Sequence, residues 1–223
     1  METVAFKSDE YTLMGSLHLP SDAPAPFVIG CHGLIADRRS PKQIGLAHAC
    51  CRQGIGYFRF DHRGCGESQG EFNRVTSLEG RQLDLMNAIQ LVRSLDACNG
   101  VIGLFGSSMG GTVCLSVYHA ENITATVVVA APLHSRFPQA ANHHLKVSFD
   151  ITKEIKQVKN IHIFHGEHDE VVPQAHAGTL YELASQPKKL TIQLAGDHRM
   201  SNPEHQSTFI RESVDWFNNY LYL

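Results

Sequence analysis

The stretch Val101-Ile-Gly-Leu-Phe-Gly-Ser-Ser-Met-Gly-Gly111 decides the fold, because it joins a buried apolar run to a glycine-flanked serine and then to the helical run Thr112 to Ala120. Gly106 and Gly110 lack side chains, so strand and helix can approach closely around the turn. Ser108 then sits in a strained elbow with its hydroxyl exposed, while Ser107 falls on the variable position of the G-x-S-x-G spacing.

Outward from that turn, short apolar runs alternate with helix-period segments. The strand-like runs are Phe27 to Cys31, Ile55 to Phe60, Val101 to Phe105, Ala125 to Ala131, Ile161 to Phe164 and Leu190 to Leu194. This alternation predicts an α/β fold, a mostly parallel central sheet with helices on both faces. At the N-terminus, Val4 to Phe6 and Tyr11 to Leu19 flank Ser8-Asp9-Glu10 and predict a β-hairpin, followed by a linker over Pro20 to Pro26.

The helices carry recognisable ends. Ser40 and Pro41 open one helix that stops near Gly54, with Ile44, Ala47 and Cys51 expected to face the sheet. Leu78, Leu85, Ile89 and Val92 share a stripe on the next. Asn202 and Pro203 open the last, which presents Ile210, Val214, Phe217 and Leu221 at near-ideal period. Asp150 to Val158 also reads as a sheet-packing helix, which leaves Pro132 to Phe149 as a short lid segment.

With 223 residues, 43% of them hydrophobic and 18% charged, a single domain spanning 1–223 is expected. A net charge of −3 gives no broad field to attract nucleic acid or an acidic membrane, so a small, roughly neutral substrate is expected. Glu2, Asp9 and Glu10 break up the apolar start, unlike a signal peptide, and the longest apolar run is too short to span a bilayer. A cytoplasmic protein is expected. Six cysteines without a C-x-x-C pair read as reduced thiols.

A serine hydroxyl is a poor nucleophile until a base takes its proton, so a histidine held by a carboxylate must lie nearby. Phe164-His-Gly-Glu-His-Asp-Glu-Val-Val-Pro173 offers Glu167, Asp169 or Glu170 directly after a strand. Leu194-Ala-Gly-Asp-His198 offers His198 across a glycine-containing turn after the last one.

Four segments together resemble the α/β-hydrolase superfamily, and within it the small esterases and serine-aminopeptidase-like hydrolases. They are His32-Gly33-Leu34; Asp61-His-Arg-Gly-Cys-Gly-Glu-Ser68; Gly106-Ser-Ser-Met-Gly110; and Gly166-Glu-His-Asp-Glu-Val-Val-Pro173 followed by Gly196-Asp-His198. The resemblance implies the α/β-hydrolase fold, with the order Ser108, Asp169, His198 and with Asp169 as the acid. It also implies an oxyanion hole from the N–H groups of Leu34 and Met109, with His32 and Gly33 beside the substrate.

Other readings are weaker. Gly64, Gly66 and Gly70 have the wrong last spacing for a dinucleotide loop, and Asp61 and Arg63 are expected to hold neighbouring loops by hydrogen bonds. His162, His165 and His168 are the best metal set among fourteen histidines, but on a strand the first two face opposite ways, so no metal or cofactor is expected. Arg38 and Arg39 lie near the predicted hole as candidates to meet an anionic group, although the solvated surface is the commoner fate of such residues. His134, Phe137 and Leu145 lie in the predicted lid, where they are candidates to line the entrance.

The reaction expected is hydrolysis of a carboxylic ester through an acyl-Ser108 intermediate. A thioester, amide or short peptide remains open, as do a non-catalytic ligand-binding protein and a cofactor-free lyase on the same fold. Acyl group, leaving group and oligomeric state are not legible.

Overall fold

In the computed structural model, residues 1–135 and 147–222 are described. The strands are Glu2–Ser8 (β1), Tyr11–His18 (β2), Ala25–Cys31 (β3), Gly56–Phe60 (β4), Cys98–Ser107 (β5), Ala125–Val129 (β6), Ile161–Gly166 (β7) and Lys188–Gln193 (β8). The helices are Pro41–Arg52 (α1), Phe72–Val75 (α2), Leu78–Arg93 (α3), Met109–Val117 (α4), Ala175–Leu183 (α5) and Pro203–Leu221 (α6). Among the described residues the strands form one sheet in the order β1-β2-β4-β3-β5-β6-β7-β8. The β1–β2 hairpin and the β2–β4 pair are antiparallel, and every pair from β4 to β8 is parallel.

Strands β3, β4, β6 and β7 are buried along their whole length. They are covered on both faces, which is why they read as continuous apolar runs rather than alternating ones. On one face, Phe27 and Ile29 of β3 pack with Leu85 and Ile89 of α3, Val113 of α4 and Leu180 of α5. On the other, Val28 packs with Leu46 and Cys50 of α1 and with Phe209 and Phe217 of α6. Burying a side chain such as Phe209, whose ring lies 5.4 Å from Phe105 and 5.3 Å from Phe164, contributes about 1.5–3 kcal/mol. No helix among the described residues is long and apolar enough to cross a membrane.

Three local expectations are corrected. Helix α1 buries Gln43, Leu46, Ala47, Ala49 and Cys50, whereas Ile44 and Cys51 are only half-buried. It packs against α6 as well as the sheet, with Gly45 against Ile210, so its buried face is rotated from the one predicted. The predicted helix Asp150 to Val158 is only a 3-10 turn at Glu154–Gln157, because Asp150 Oδ1 accepts from Thr152 N and Oγ1 and turns the chain first. Its apolar residues Ile151, Ile155 and Val158 are nevertheless buried. Strand β3 begins at Ala25, inside the predicted linker, where Ala25 N donates to Ala97 O at 2.9 Å.

The ends of the predicted lid are tied together: Ser135 N donates to Phe149 O at 3.0 Å and Ile151 N to Leu133 O at 2.8 Å. Residues 136–146, with Phe137 and Leu145, lie outside the described residues. Because β3, β5, β7 and β8 run parallel, the loops that follow them emerge along one edge of the sheet. That edge carries the candidate site.

Candidate active site

Ser108 follows the last residue of β5 with φ 53° and ψ −125°, a left-handed conformation that costs a non-glycine residue about 1–3 kcal/mol. Close packing maintains it. A Cβ on Gly110 would collide with the carbonyl oxygens of Cys31 and His32, and one on Gly111 with Ala131. Ser108 N donates to Val129 O at 2.7 Å, which fastens the turn to β6.

Beside it runs the loop after β3. A Cβ on Gly33 would stand 3.5 Å from Ser108 Cβ, so this loop and the elbow are in contact. The Gly33 carbonyl accepts from His32 Nδ1 at 2.7 Å and from Arg81 Nη1 at 3.4 Å. In a trans peptide the N–H points opposite to the C=O, so the Leu34 N–H is turned away from Arg81. The same reasoning applies to Met109: the Ser108 carbonyl accepts from Gly111 N and Thr112 N inside the helix, which turns the Met109 N–H outward. Neither N–H has an acceptor among the described residues.

On the far side, His198 Nδ1 meets Asp169 at 2.8 Å (Oδ2) and 3.0 Å (Oδ1). An ionised carboxylate only accepts, so Nδ1 carries a proton, and in the neutral ring Nε2 is the lone-pair acceptor. Burial alone would raise the Asp169 pKa. The hydrogen bond and charge of His198, with the N–H groups of Val172 at 2.7 Å and Val171 at 2.9 Å, outweigh burial and hold it below the usual carboxylate range. The rival acids have other partners. Glu170 Oε2 accepts from His198 N at 3.1 Å, and Glu167 Oε2 from Ala195 N at 2.9 Å, so both brace the backbone of the loop between β8 and α6.

Ser108 and His198 line one cleft of about 470 Å³, together with Gly33, Leu34, Ile35 and Lys42. Two candidates stand elsewhere. His32 is buried, with Nε2 accepting from His62 N at 3.0 Å and Nδ1 donating to Gly33 O. Burial, then the charges of His62 and Arg81, push its pKa well down, so a neutral ring ties the loop to the end of β4. The His134 ring lies 4.6 Å from that of His176, tilted by 57°, and does not line the cleft.

Arg81 was not among the sequence candidates, yet it is fully buried and also donates through Nη2 to Leu34 O at 3.0 Å. His165 was considered only as a metal ligand. Its Nε2 donates to Val172 O at 2.9 Å and lies 3.3 Å from Asp169 Oδ2, while burial lowers its pKa. His162 faces the other way, against Trp216, and among the described residues no three metal-ligating side chains converge.

The Asp61 to Ser68 turn is a bracing element, as the sequence suggests. Asp61 accepts from Arg38 N at 2.7 Å and Glu67 N at 2.9 Å, and Arg63 N and Nε each donate to Asp84 at 2.9 Å. Arg38 is not at the solvated surface: it is buried in an ion pair with Asp61 and Glu67, and only Arg39, which also pairs with Glu67, is exposed. All six cysteines are free thiols.

Known proteins are similar to this chain in sequence or in fold. The uncharacterized protein YfhR of Escherichia coli strain K12 is 26% identical over 229 residues, covering 96% of this chain and 78% of that protein. Est1E of Butyrivibrio proteoclasticus, solved with ferulic acid bound, superposes with a TM-score of 0.82 at 16% identity over 96% of this chain and 99% of Est1E. The mouse palmitoyl-protein thioesterase ABHD10 is 22% identical over 78% of this chain and 69% of its own length. Its structure matches with a TM-score of 0.75 at 18% identity over 98% of this chain and 99% of ABHD10. The family described as serine aminopeptidase, S33 matches residues 22–161, a span that holds Leu34, Ser108 and Met109 and stops before Asp169 and His198. The chain therefore belongs to that family and is an α/β hydrolase of the serine-hydrolase type.

Proposed function

We propose that the chain hydrolyses a small carboxylic ester through an acyl-Ser108 intermediate, with His198 as general base and acid and Asp169 as the group that orients it. The observation that carries this reading is the bond between His198 Nδ1 and Asp169 Oδ2 at 2.8 Å, in a ring that shares its cleft with Ser108. His198 Nε2 takes the proton of Ser108 Oγ as the oxygen bonds to the acyl carbon. It returns that proton to the leaving oxygen as the acyl C–O bond breaks. Water then enters by the same route in reverse order and releases the acid.

The charge that develops on the carbonyl oxygen is met by the N–H groups of Leu34 and Met109, both turned away from the protein's own acceptors. One such donor is worth about 2.7–4 kcal/mol in the transition state. Gly33 forms the wall beside the nucleophile, where a side chain would narrow the approach.

A fluorophosphonate probe tests the reading, because it reacts only with a hydroxyl activated in this way. Labelling at Ser108 that vanishes in Ser108→Ala is the expected result. A wild-type protein that is neither labelled nor able to hydrolyse p-nitrophenyl esters of any chain length would instead be a ligand-binding protein on a hydrolase fold.

A further inference from the structure

The cleft that holds Ser108 and His198 also carries two cations. Lys42, in the first turn of α1, and Arg199, next to His198, line its wall, and among the described residues no aspartate or glutamate lines it. Lys42 Nζ donates to Arg199 O at 2.9 Å, so the ammonium stands at the His198 end. Neither Lys42 nor Arg199 makes an ion pair among the described residues. Asp197 and Asp169, whose charges act on Lys42, are each engaged by other donors, Asp197 by Ser201 N at 2.7 Å and Ser201 Oγ at 2.6 Å and Asp169 by His198 Nδ1 at 2.8 Å.

An ammonium partly removed from water whose hydrogen-bond partner is a neutral carbonyl is left without a counter-charge, which is costly. Burial accordingly pushes the Lys42 pKa below its ordinary value. The first turn of α1 holds no acidic residue, so nothing there offsets the positive end of a twelve-residue helix. An anion placed at this point would relieve both.

We propose that this end of the cleft is a carboxylate subsite and that the preferred substrate is an ester whose leaving group is a hydroxy acid, an inference that rests on the hydrolase reading above. The leaving oxygen takes its proton from His198, so the departing group lies on the His198 side, where Lys42 and Arg199 stand. The net charge of −3 points toward a neutral substrate, but charges beyond about 8 Å are largely screened at physiological salt, so the groups that line the cleft, two of them cationic and none acidic, weigh more than the net charge.

The test compares kcat/KM for 4-acetoxybenzoate and 4-acetoxybenzamide, which share acyl group and ring and differ in the charge of the leaving group, each corrected for uncatalysed hydrolysis. The wild type is expected to favour the carboxylate by about tenfold, the effect of one charge-assisted hydrogen bond. The preference is expected to fall to near one in the Lys42→Gln/Arg199→Gln double variant, mainly through KM, and to reverse in Lys42→Glu. Labelling of Ser108 by a neutral fluorophosphonate reports that each variant has kept an assembled site. A wild-type ratio near one, or a preference that survives in the labelled double variant, overturns the subsite while leaving the esterase reading in place. If the wild type hydrolyses neither ester and Ser108 is not labelled, the hydrolase reading fails and the subsite fails with it.

Discussion

Arg81 Nη2 donates to Leu34 O at 3.0 Å, joining two residues 47 apart in sequence from the buried side of the loop that borders the nucleophile. The same guanidinium reaches Gly33 O at 3.4 Å and Cys65 Sγ at 3.4 Å. A planar fork can hold two successive carbonyls, and so fix the peptide between them, in a way that one ammonium cannot.

Arg81→Lys is therefore expected to lower kcat by about 10²-fold, the effect of a misplacement near 1 Å, with KM changed much less. The rate of fluorophosphonate labelling should fall in parallel while the melting temperature moves by only a few degrees. Wild-type kcat in the Arg81→Lys variant would show that the loop holds its shape without the fork.

Three carboxylates follow β7, and only one reaches the imidazole. Asp169→Asn is expected to cost about 10⁴-fold in kcat, because an amide can donate to Nδ1 and favour the wrong tautomer. Glu167→Gln and Glu170→Gln remove braces of the His198 loop and should cost less than about tenfold each. Steady-state rates on one p-nitrophenyl ester separate the cases. A loss in Glu170→Gln as large as that in Asp169→Asn would reassign the acid.

Stability should decline in two stages as the pH is lowered. Burial chiefly, then the charge of Lys189, depresses His162 to about 4, against about 6.5 in an unfolded chain. The unfolded state then binds this proton first, so the stability His162 contributes is present above about pH 6.5 and is lost as the pH falls through 4. Burial alone would raise Asp84, but His62 at 3.4 Å and the hydrogen bonds of Arg63 hold it down to about 2. Its contribution, about 2 kcal/mol, is present above about pH 4 and is lost as the pH falls through 2. Urea unfolding followed across pH checks both. His162→Gln should reduce the slope between pH 6.5 and 4, and Asp84→Asn the slope between 4 and 2. Unchanged slopes would rule out these groups as the titrating ones.

Residues whose surroundings are set by local pattern were legible in the sequence. The strands buried on both faces announce themselves as apolar runs, and Gly106, Ser108 and Gly110 carry their turn in their spacing. Arg81 was not legible, because an arginine in a helix normally lies in solvent. Only the tertiary approach of the loop after β3 to α3 makes it a buried donor. Glu167, Asp169 and Glu170 cannot be separated on composition, since the choice depends on how the loop between β8 and α6 folds back against Gly166. Lys42 lies at the start of a correctly predicted helix, yet its relation to Arg199, across 157 residues, exists only once α1 and the His198 loop meet at the sheet edge.

Strain at the nucleophile gives the last prediction. At φ 53° and ψ −125°, Ser108 occupies backbone space that suits glycine and disfavours any residue with a Cβ. The surrounding elements hold it there: Ser108 N is bonded to Val129 O, and Gly110 lies against the carbonyls of Cys31 and His32 at the end of β3. Removing the hydroxyl leaves this strain in place, whereas removing the Cβ relieves it. Ser108→Gly and Ser108→Ala should both abolish fluorophosphonate labelling, yet the glycine variant should be the more stable by about 1–2 kcal/mol. For a domain of this size, that corresponds to a melting temperature higher by about 2–8 °C. Differential scanning calorimetry of the two variants side by side removes the contribution of the lost hydroxyl. Equal melting temperatures would mean that the turn is unstrained in solution, and that the exposed hydroxyl is held by packing alone.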